Sequence, residues 1–141
     1  MARQQTLKIY YAASIFSVIF AVIGFGYNAW RLEVSEQNTT VRTASFEVMT
    51  AIAELEQNIF SAVYDNDSIT GSARIGWVKV GLINDLSLLI SPKAAAQADK
   101  LKNTWQIHWS SIAENEESLA AVNKEVALLR DAIKQELRTL N

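Results

Sequence analysis

The chain of 141 residues has no cysteine, one proline, one histidine and five glycines. The absence of cysteine excludes disulfides, thiol catalysis and zinc–thiolate sites. One histidine without cysteine disfavours a transition-metal site, and no Glu-x-x-His pairing of the di-metal bundle type occurs. Because helix breakers are scarce and hairpin dipeptides and sustained alternation are missing, the sequence predicts an all-α protein.

Acidic residues are absent from the first part of the chain. Residues 31–141 hold all 15 acidic residues and 11 of the 13 basic ones. Because acidic residues outnumber basic ones in this region, it does not attract a negatively charged phosphate backbone, and nucleic acid is not expected as a partner. No glycine-rich phosphate loop is present, and only His108 or a perturbed Lys or Glu could activate a hydroxyl nucleophile. We therefore expect a non-enzymatic protein without a cofactor.

A long uncharged apolar run occupies residues 9–30. At about 1.5 Å per residue it spans roughly 33 Å, enough for the hydrocarbon core of a bilayer. Aromatic side chains suited to the headgroup level lie at its two ends, namely Tyr10, Tyr11, Tyr27 and Trp30. The run predicts a transmembrane helix. The alternative is a secretory signal peptide cleaved near Gly24 or Gly26, but such peptides have shorter apolar cores.

The charges that flank this run predict its orientation. Residues 1–8 carry Arg3 and Lys8 without an acid, whereas both signs follow the run. Because Lys and Arg favour the cytoplasmic side, we expect a single-pass protein of the inner (plasma) membrane. Residues 1–8 would then be cytoplasmic and residues 31–141 extracytoplasmic.

Small residues recur every three or four positions along the apolar run. They form one stripe that ends in a carboxamide: Ala13, Ser17, Ala21, Gly24 and Asn28. Inside lipid, small residues let helix backbones approach closely, so the stripe predicts contact with a second copy or another membrane protein. The alternative is that the stripe has no role, since small residues are common in membrane helices.

Mostly apolar or small residues recur every three or four positions beyond the membrane run. We call this set of positions the seam: Val34, Asn38, Val41, Ser45, Val48 and Ile52. Such spacing is typical of a coiled coil, in which a polar residue fixes register and oligomer number. Nothing between Trp30 and Val34 breaks a helix. We therefore predict one continuous helix from about residue 8 to about residue 64.

Turn signals divide the remaining chain. "DNDSITG" (65–71) is a break, Ser91 and Pro92 form a helix start, and "ENEES" (114–118) predicts a turn. The predicted helices of the outer region are about 31–64, 72–90, 92–113 and 117–140. An antiparallel four-helix bundle follows, or a coiled coil if the last two helices fuse at 114–118.

The apolar stripe of the third helix contains two tryptophans. Trp105 and Trp109 share this face, and His108 lies at its edge. One interpretation is a core in which the indoles pack over small residues of the second helix, such as Gly76 and Gly81. The other is an aromatic ligand pocket. That pocket would be formed by Arg74, Trp77, Trp105, His108 and Trp109.

The segments "FEVMTAIAELEQNIFSAVYD" (46–65), "RIGWVKVGLINDLSLLI" (74–90) and "ADKLKNTWQIHW" (98–109) carry a resemblance. Their layout resembles the extracytoplasmic four-helix-bundle sensor domain of bacterial chemoreceptors and related sensor kinases. The resemblance implies a ligand pocket, often with arginines, for which Arg74 is the nearest candidate. In that family the fourth helix enters a second membrane helix. No second apolar run follows here, so a sensor would signal through a partner protein.

Two functions from different classes are therefore expected. The first is an accessory or scaffold subunit whose helical region mediates protein–protein assembly in a membrane complex. The second is a chemoreceptor-like bundle that senses a small ligand and acts through a partner.

Overall fold

The computed structural model describes residues 2–65 and 67–140. Met1, in the predicted cytoplasmic segment, and Asn66 and Asn141, in the predicted extracytoplasmic region, lie outside the described residues. The same applies to four side chains near the N-terminus, which include one used for the predicted orientation: Ala2, Arg3, Gln5 and Thr6.

Four helices make up the fold, and the described residues contain no strand, so the all-α prediction is confirmed. The helices are α1 (Ala2–Val63), α2 (Ala73–Ser87), α3 (Pro92–His108) and α4 (Glu116–Thr139). The chain divides into two compact units, Met1–Gln37 and Asn38–Asn141.

The first unit consists of the N-terminal part of α1. Its side chains from residue 7 to residue 37 are exposed. The most apolar 18-residue stretch has a mean hydropathy of 2.0, and none of it is buried within the chain. By length and composition this helix is able to cross a membrane, a property that signal sequences share.

The second unit is built around one hydrophobic core to which all four helices contribute. Apolar residues three and four positions apart fall on one side of each helix, which explains the pattern of burial. The largest fully buried apolar side chains are Val48, Ile52 and Leu55 of α1, Val80 and Ile83 of α2, Leu101 and Trp105 of α3, and Val122, Val126, Leu129 and Ile133 of α4.

Polar pairs join neighbouring helices at the edge of this core. Glu54 of α1 forms an ion pair with Lys79 of α2, and Glu56 of α1 pairs with Arg130 of α4 at 2.7 Å. In addition, α3 is joined to α2 through Asp99 and Asn84, and to α4 through Gln97 and Glu125, at 2.6 Å in each pair.

Side-chain caps determine where α3 and α4 begin. Ser91 Oγ accepts a hydrogen bond from the Ala94 amide at 3.1 Å, which confirms the predicted helix start. Asn115 Oδ1 accepts from the amides of Glu117 (2.8 Å) and Ser118 (3.3 Å).

The break between these helices therefore differs from the sequence prediction. It covers residues 109–115 instead of 114–118, so α3 ends five residues before the predicted position 113. Glutamates 116 and 117 lie in the first turn of α4, where the partial positive charge of the helix N-terminus favours acidic side chains. The fused alternative for helices three and four is not the observed arrangement, because α3 and α4 are separate.

The connection between α1 and α2 is held by two polar side chains. Asp67 Oδ1 accepts from the backbone amides of Ile69 (2.9 Å) and Thr70 (3.2 Å). Asn58 of α1 donates through Nδ2 to the carbonyl oxygens of Thr70 (2.6 Å) and Ser72 (3.1 Å). Together these bonds fix residues 67–72 of the loop 64–72 against the end of α1.

Candidate functional site

Trp105 is the centre of the candidate site. Its side chain is 2% exposed and packs against α2 at Gly76. A Cβ atom at Gly76 would lie 2.3 Å from Cζ2 and 2.6 Å from Cη2 of the indole. Only glycine leaves room for the ring at this distance, so the core interpretation is confirmed for this pair. Gly81 differs, because no atom lies within 4 Å of its Cβ position.

A cavity of about 200 Å³ lies beside the indole, where the end of α1, the loop 64–72 and the α3–α4 turn meet. We call it the tryptophan cavity. Its lining includes the apolar side chains of Ile59 and Ile112 and the polar side chains of Asn58 and Ser110. It also includes both indoles of α3 and the turn that follows. None of the described lining residues is charged.

The indole N–H of Trp105 has no hydrogen-bond acceptor among the described residues. A buried donor without a partner costs about 1–3 kcal/mol relative to a satisfied one. Buried indole N–H groups usually find a partner, so this donor requires an explanation. The indole nitrogen is itself fully buried, although Trp105 lines the tryptophan cavity.

The five residues predicted to form a pocket divide into two groups. Trp105 and Trp109 line the tryptophan cavity, and Trp109 remains 39% exposed. Arg74 is exposed, and Trp77 is half-buried against the core; neither lines the cavity.

His108 is engaged elsewhere. Its Nδ1 lies 3.0 Å from the Ser118 hydroxyl, which lies 2.9 Å from the Ser111 hydroxyl. Ser118 is 3% exposed. These hydrogen bonds therefore join the end of α3 to the first turn of α4, and they do not present an accessible nucleophile.

Sequence reasoning missed Asn58, which is 3% exposed and both lines the cavity and holds the loop. The signal was a carboxamide at a core position of α1, between the buried Leu55 and Ile59. A polar residue at such a position indicates a specific hydrogen-bonding task, because burying it without partners is costly. Ser110 was also missed, because residues 109–113 were predicted to be helical.

A larger depression of about 470 Å³ is lined by residues of the α3–α4 turn, the first turns of α4 and the end of α1. Many of its lining residues are exposed and polar, among them Glu114, Asn115 and Asn123. No group of three or more His, Asp or Glu able to hold a metal occurs among the described residues.

The small-residue stripe of the first unit is exposed along its whole length. Ser17 Oγ donates to the Ala13 carbonyl at 2.9 Å, so its hydroxyl is satisfied within the helix. The other members, Ala21, Gly24 and Asn28, are exposed as well. No atom lies within 4 Å of the Cβ positions of Gly24 and Gly26.

The seam residues lie in different surroundings along α1. Ser45, Val48 and Ile52 are buried in the core of the second unit. Val41 is half-buried against that core, and Asn38 is also half-buried. Val34, in the first unit, is 38% exposed. The second half of the seam is therefore buried by other residues of the second unit.

Comparisons with protein-family models, curated proteins and solved structures find no match to this chain. The resemblance to chemoreceptor sensor domains therefore rests on helix layout alone.

Proposed function

We propose that this chain is a non-enzymatic single-pass membrane protein whose helical region assembles with a second copy or with another membrane protein. The observation that carries the proposal is the open stripe around Gly24. A glycine inside a helix costs about 1 kcal/mol relative to alanine. Among the described residues, no neighbour uses the space that Gly24 leaves. A second membrane helix packed on the stripe would use it.

In this proposal the first unit crosses the inner membrane with residues 1–8 in the cytoplasm. The second unit is an extracytoplasmic, antiparallel four-helix bundle. The polar pairs that join α1 to α2 and α4, and α3 to its two neighbours, support the bundle. The more exposed seam residues, Val34, Asn38 and Val41, would extend the contact beyond the membrane.

An outward face of α2 supports assembly through the second unit as well. Ile75, Val78 and Leu82 are three and four positions apart, and between 38% and 63% of each is exposed. An exposed apolar stripe of this kind is typical of an interaction surface. Under the proposal this face contacts a second copy or a partner subunit.

Gly24→Leu and Gly26→Leu form a matched test. Both replace an exposed glycine with no neighbour at its Cβ position, but only Gly24 lies on the small-residue stripe. Gly24→Leu should reduce the oligomer mass in mild detergent, measured by light scattering, or release a partner that co-purifies from the native membrane. Gly26→Leu should leave both unchanged. Equal behaviour of the two variants would contradict contact through the stripe.

The α2 face has its own control. Val78→Lys should weaken assembly, whereas Ile107→Lys places the same charge at an isolated exposed apolar residue of α3 and should not. If both or neither changes the oligomer mass, the α2 face is not a contact surface.

A second candidate function is small-ligand sensing, with the signal passed on by a partner. The observation that favours it is the tryptophan cavity, which is lined by Trp105 and Trp109 and by no charged residue among those described. Saturable binding of a small molecule in the cavity, accompanied by a change in oligomer mass or partner co-purification, is the expected result. Ligand binding that leaves assembly unchanged would contradict sensing.

A further inference from the structure

We propose that the outward side of α1 in the second unit binds a second copy of this chain, with the two α1 helices parallel. We call this surface the α1 outer face; it consists of five residues of the helix and the tyrosine that follows it: Phe46, Thr50, Ala53, Gln57, Phe60 and Tyr64. The inference rests on the proposed assembly and names its partner. It is carried by the exposure, the polar groups and the flanking charges of this face.

The α1 outer face points away from the core of the second unit. Its members are three and four positions apart, so they lie on one side of the helix, and every one of them is exposed. Glu54 pairs with Lys79 of α2 and Glu56 pairs with Arg130 of α4. At about 100° per residue these two glutamates lie roughly 80° to either side of the face. Neither neighbouring helix therefore covers it.

Three aromatic side chains provide most of the apolar surface of the face. Between 53% and 66% of Phe46, Phe60 and Tyr64 is exposed, and the rings of the last two lie 5.6 Å apart. Because covering a whole aromatic residue buries about 150–250 Å², these three residues in two copies would bury roughly 700 Å². This is about half of what a small stable dimer buries in total, roughly 1,200 Å². The shorter side chains between the rings and the flanking residues must supply the rest.

The polar members of the face suit contact with an identical surface. Thr50 Oγ1 donates to the Phe46 carbonyl oxygen at 3.1 Å, so this hydroxyl keeps its partner when the face is covered. The carboxamide of Gln57 has both donor and acceptor atoms, so it is able to pair with Gln57 of the partner subunit. A polar residue at one contact position of a coiled coil fixes the register of the two helices.

Two flanking charges favour the parallel arrangement. Arg42 and Glu47 are exposed at opposite edges of the face, and neither forms an ion pair with another described residue. They are five positions apart, which is the spacing of residues that pair between parallel helices of a coiled coil. Each Arg42 would then lie next to Glu47 of the partner subunit, which gives two symmetric ion pairs. In an antiparallel pair centred on Ala53, Val63 would take the place of Glu47.

Disulfide crosslinking tests this contact without background, because the chain has no cysteine. Ala53→Cys places a thiol at the centre of the face. Thr50→Cys places one where only parallel helices bring the two copies together. Ala96→Cys is the matched control, since Ala96 is an exposed alanine of α3, the helix whose polar pairs reach α2 and α4.

The full-length variants are oxidised with copper phenanthroline in lipid vesicles and separated by non-reducing electrophoresis. A disulfide requires Cα atoms about 4.4–6.8 Å apart, so Ala53→Cys and Thr50→Cys should each form a covalent dimer roughly tenfold more abundantly than Ala96→Cys. A yield for Ala53→Cys equal to that of the control would overturn the proposal. A dimer with Ala53→Cys but none with Thr50→Cys would overturn the parallel arrangement.

A charge exchange tests the register independently. Arg42→Glu and Glu47→Arg each replace two ion pairs by two like-charge contacts, and each should raise the Kd of the dimer about tenfold at low salt. The double variant restores both pairs with reversed sign and should return the Kd to within about threefold of its original value. Sedimentation equilibrium in mild detergent gives these constants, and circular dichroism establishes that each variant is folded. A double variant as weak as the single ones would contradict the pairing.

The identity of the partner and the assembly proposal are separated by two further results. If Phe60→Lys releases a different protein from the native membrane while Ala53→Cys forms no covalent dimer, the face binds another subunit and the inference is wrong. If crosslinking fails but Gly24→Leu still lowers the oligomer mass relative to Gly26→Leu, the inference is likewise wrong, whereas assembly through the membrane stripe stands.

Discussion

Gly76→Ala tests whether the contact between α2 and Trp105 is as close as the structure indicates. The added methyl group would lie 2.3 Å and 2.6 Å from two ring carbons and 2.9 Å from Asn58 Oδ1. Carbon atoms in contact are normally about 3.5–4.0 Å apart, so α2 or the ring must move by more than 1 Å. Trp105 is 2% exposed, and its ring cannot move outward into solvent without repacking the core.

The expected loss of stability is the balance of two terms. Alanine in place of a helical glycine stabilises by about 1 kcal/mol. Overpacking a well-packed core costs about 1–3 kcal/mol, and the distances place this substitution at the upper end. We therefore expect Gly76→Ala to lower the free energy of unfolding by roughly 1–2 kcal/mol. Gly81→Ala, on the same helix with no atom within 4 Å, should raise it by up to about 1 kcal/mol.

Urea unfolding of the full-length protein in detergent micelles, followed by tryptophan fluorescence, gives the change in the free energy of unfolding for both variants. The comparison requires equal denaturant slopes, because a changed slope indicates a different denatured or native state. Trp105→Phe provides the mechanism control, since it removes Cζ2 and Cη2 of the indole. In that background Gly76→Ala should become neutral or stabilising. If Gly76→Ala matches Gly81→Ala, or if its cost persists without the indole, the proposed clash is wrong.

Three further predictions concern the polar contacts that end or connect helices. Asn58→Ala should destabilise by about 1–3 kcal/mol in urea unfolding and make the loop 64–72 more sensitive to protease, because two loop carbonyls lose their buried donor; unchanged proteolysis would contradict this. The Thr70 hydroxyl, with two backbone amides, holds the pKa of Asp67 below its ordinary value of 3.8. The stability from Asp67 is therefore present above pH 3.8 and is lost as the pH falls through the lower folded-state pKa. Asp67→Asn should flatten the acid limb of a curve of unfolding free energy against pH. An unchanged acid limb would exclude the contribution of Asp67. Asn115→Ala should cost about 0.5–2 kcal/mol by removing the cap of α4, measured by thermal unfolding, and a loss below about 0.3 kcal/mol would mean that the cap contributes little.

The sequence predicted well those features that depend on local pattern. The three–four spacing of apolar residues identified the buried faces of α1 and α3. Ser91 and Pro92 located the start of α3 to the residue. These features depend on neighbours within one or two turns of helix, so the sequence alone contains them.

The end of α3 was predicted less accurately. Residues 109–113 continue an apolar pattern, but the chain turns there, and Asn115 supplies the cap that starts α4. The pattern of apolar residues does not show which of several polar residues will cap a helix. The segment "ENEES" was therefore interpreted as the turn itself. Asn followed by two glutamates is a capping signal that could have placed the boundary correctly.

The composition of the site depended on tertiary packing. Trp109 was expected on the core face beside Trp105, but it falls in the turn and is 39% exposed. His108 is drawn toward Ser118 by a contact between two helices, which helical periodicity cannot reveal. Gly76 and Gly81 were equivalent in the sequence, and only the packing of α2 on α3 distinguishes them.

Trp105 connects the stability of the second unit to the tryptophan cavity, because one ring has two roles. Its Cζ2 and Cη2 atoms pack on Gly76, while its N–H is the unpaired donor of a residue that lines the cavity. Gly76 itself does not line the cavity. We therefore expect Gly76→Ala to shift the Trp105 indole N–H signal in ¹H–¹⁵N NMR spectra, because the added methyl group displaces the ring. Gly81→Ala should leave this signal unchanged. An unshifted Trp105 signal, despite a measured loss of stability in Gly76→Ala, would show that α2 moves and the ring stays in place.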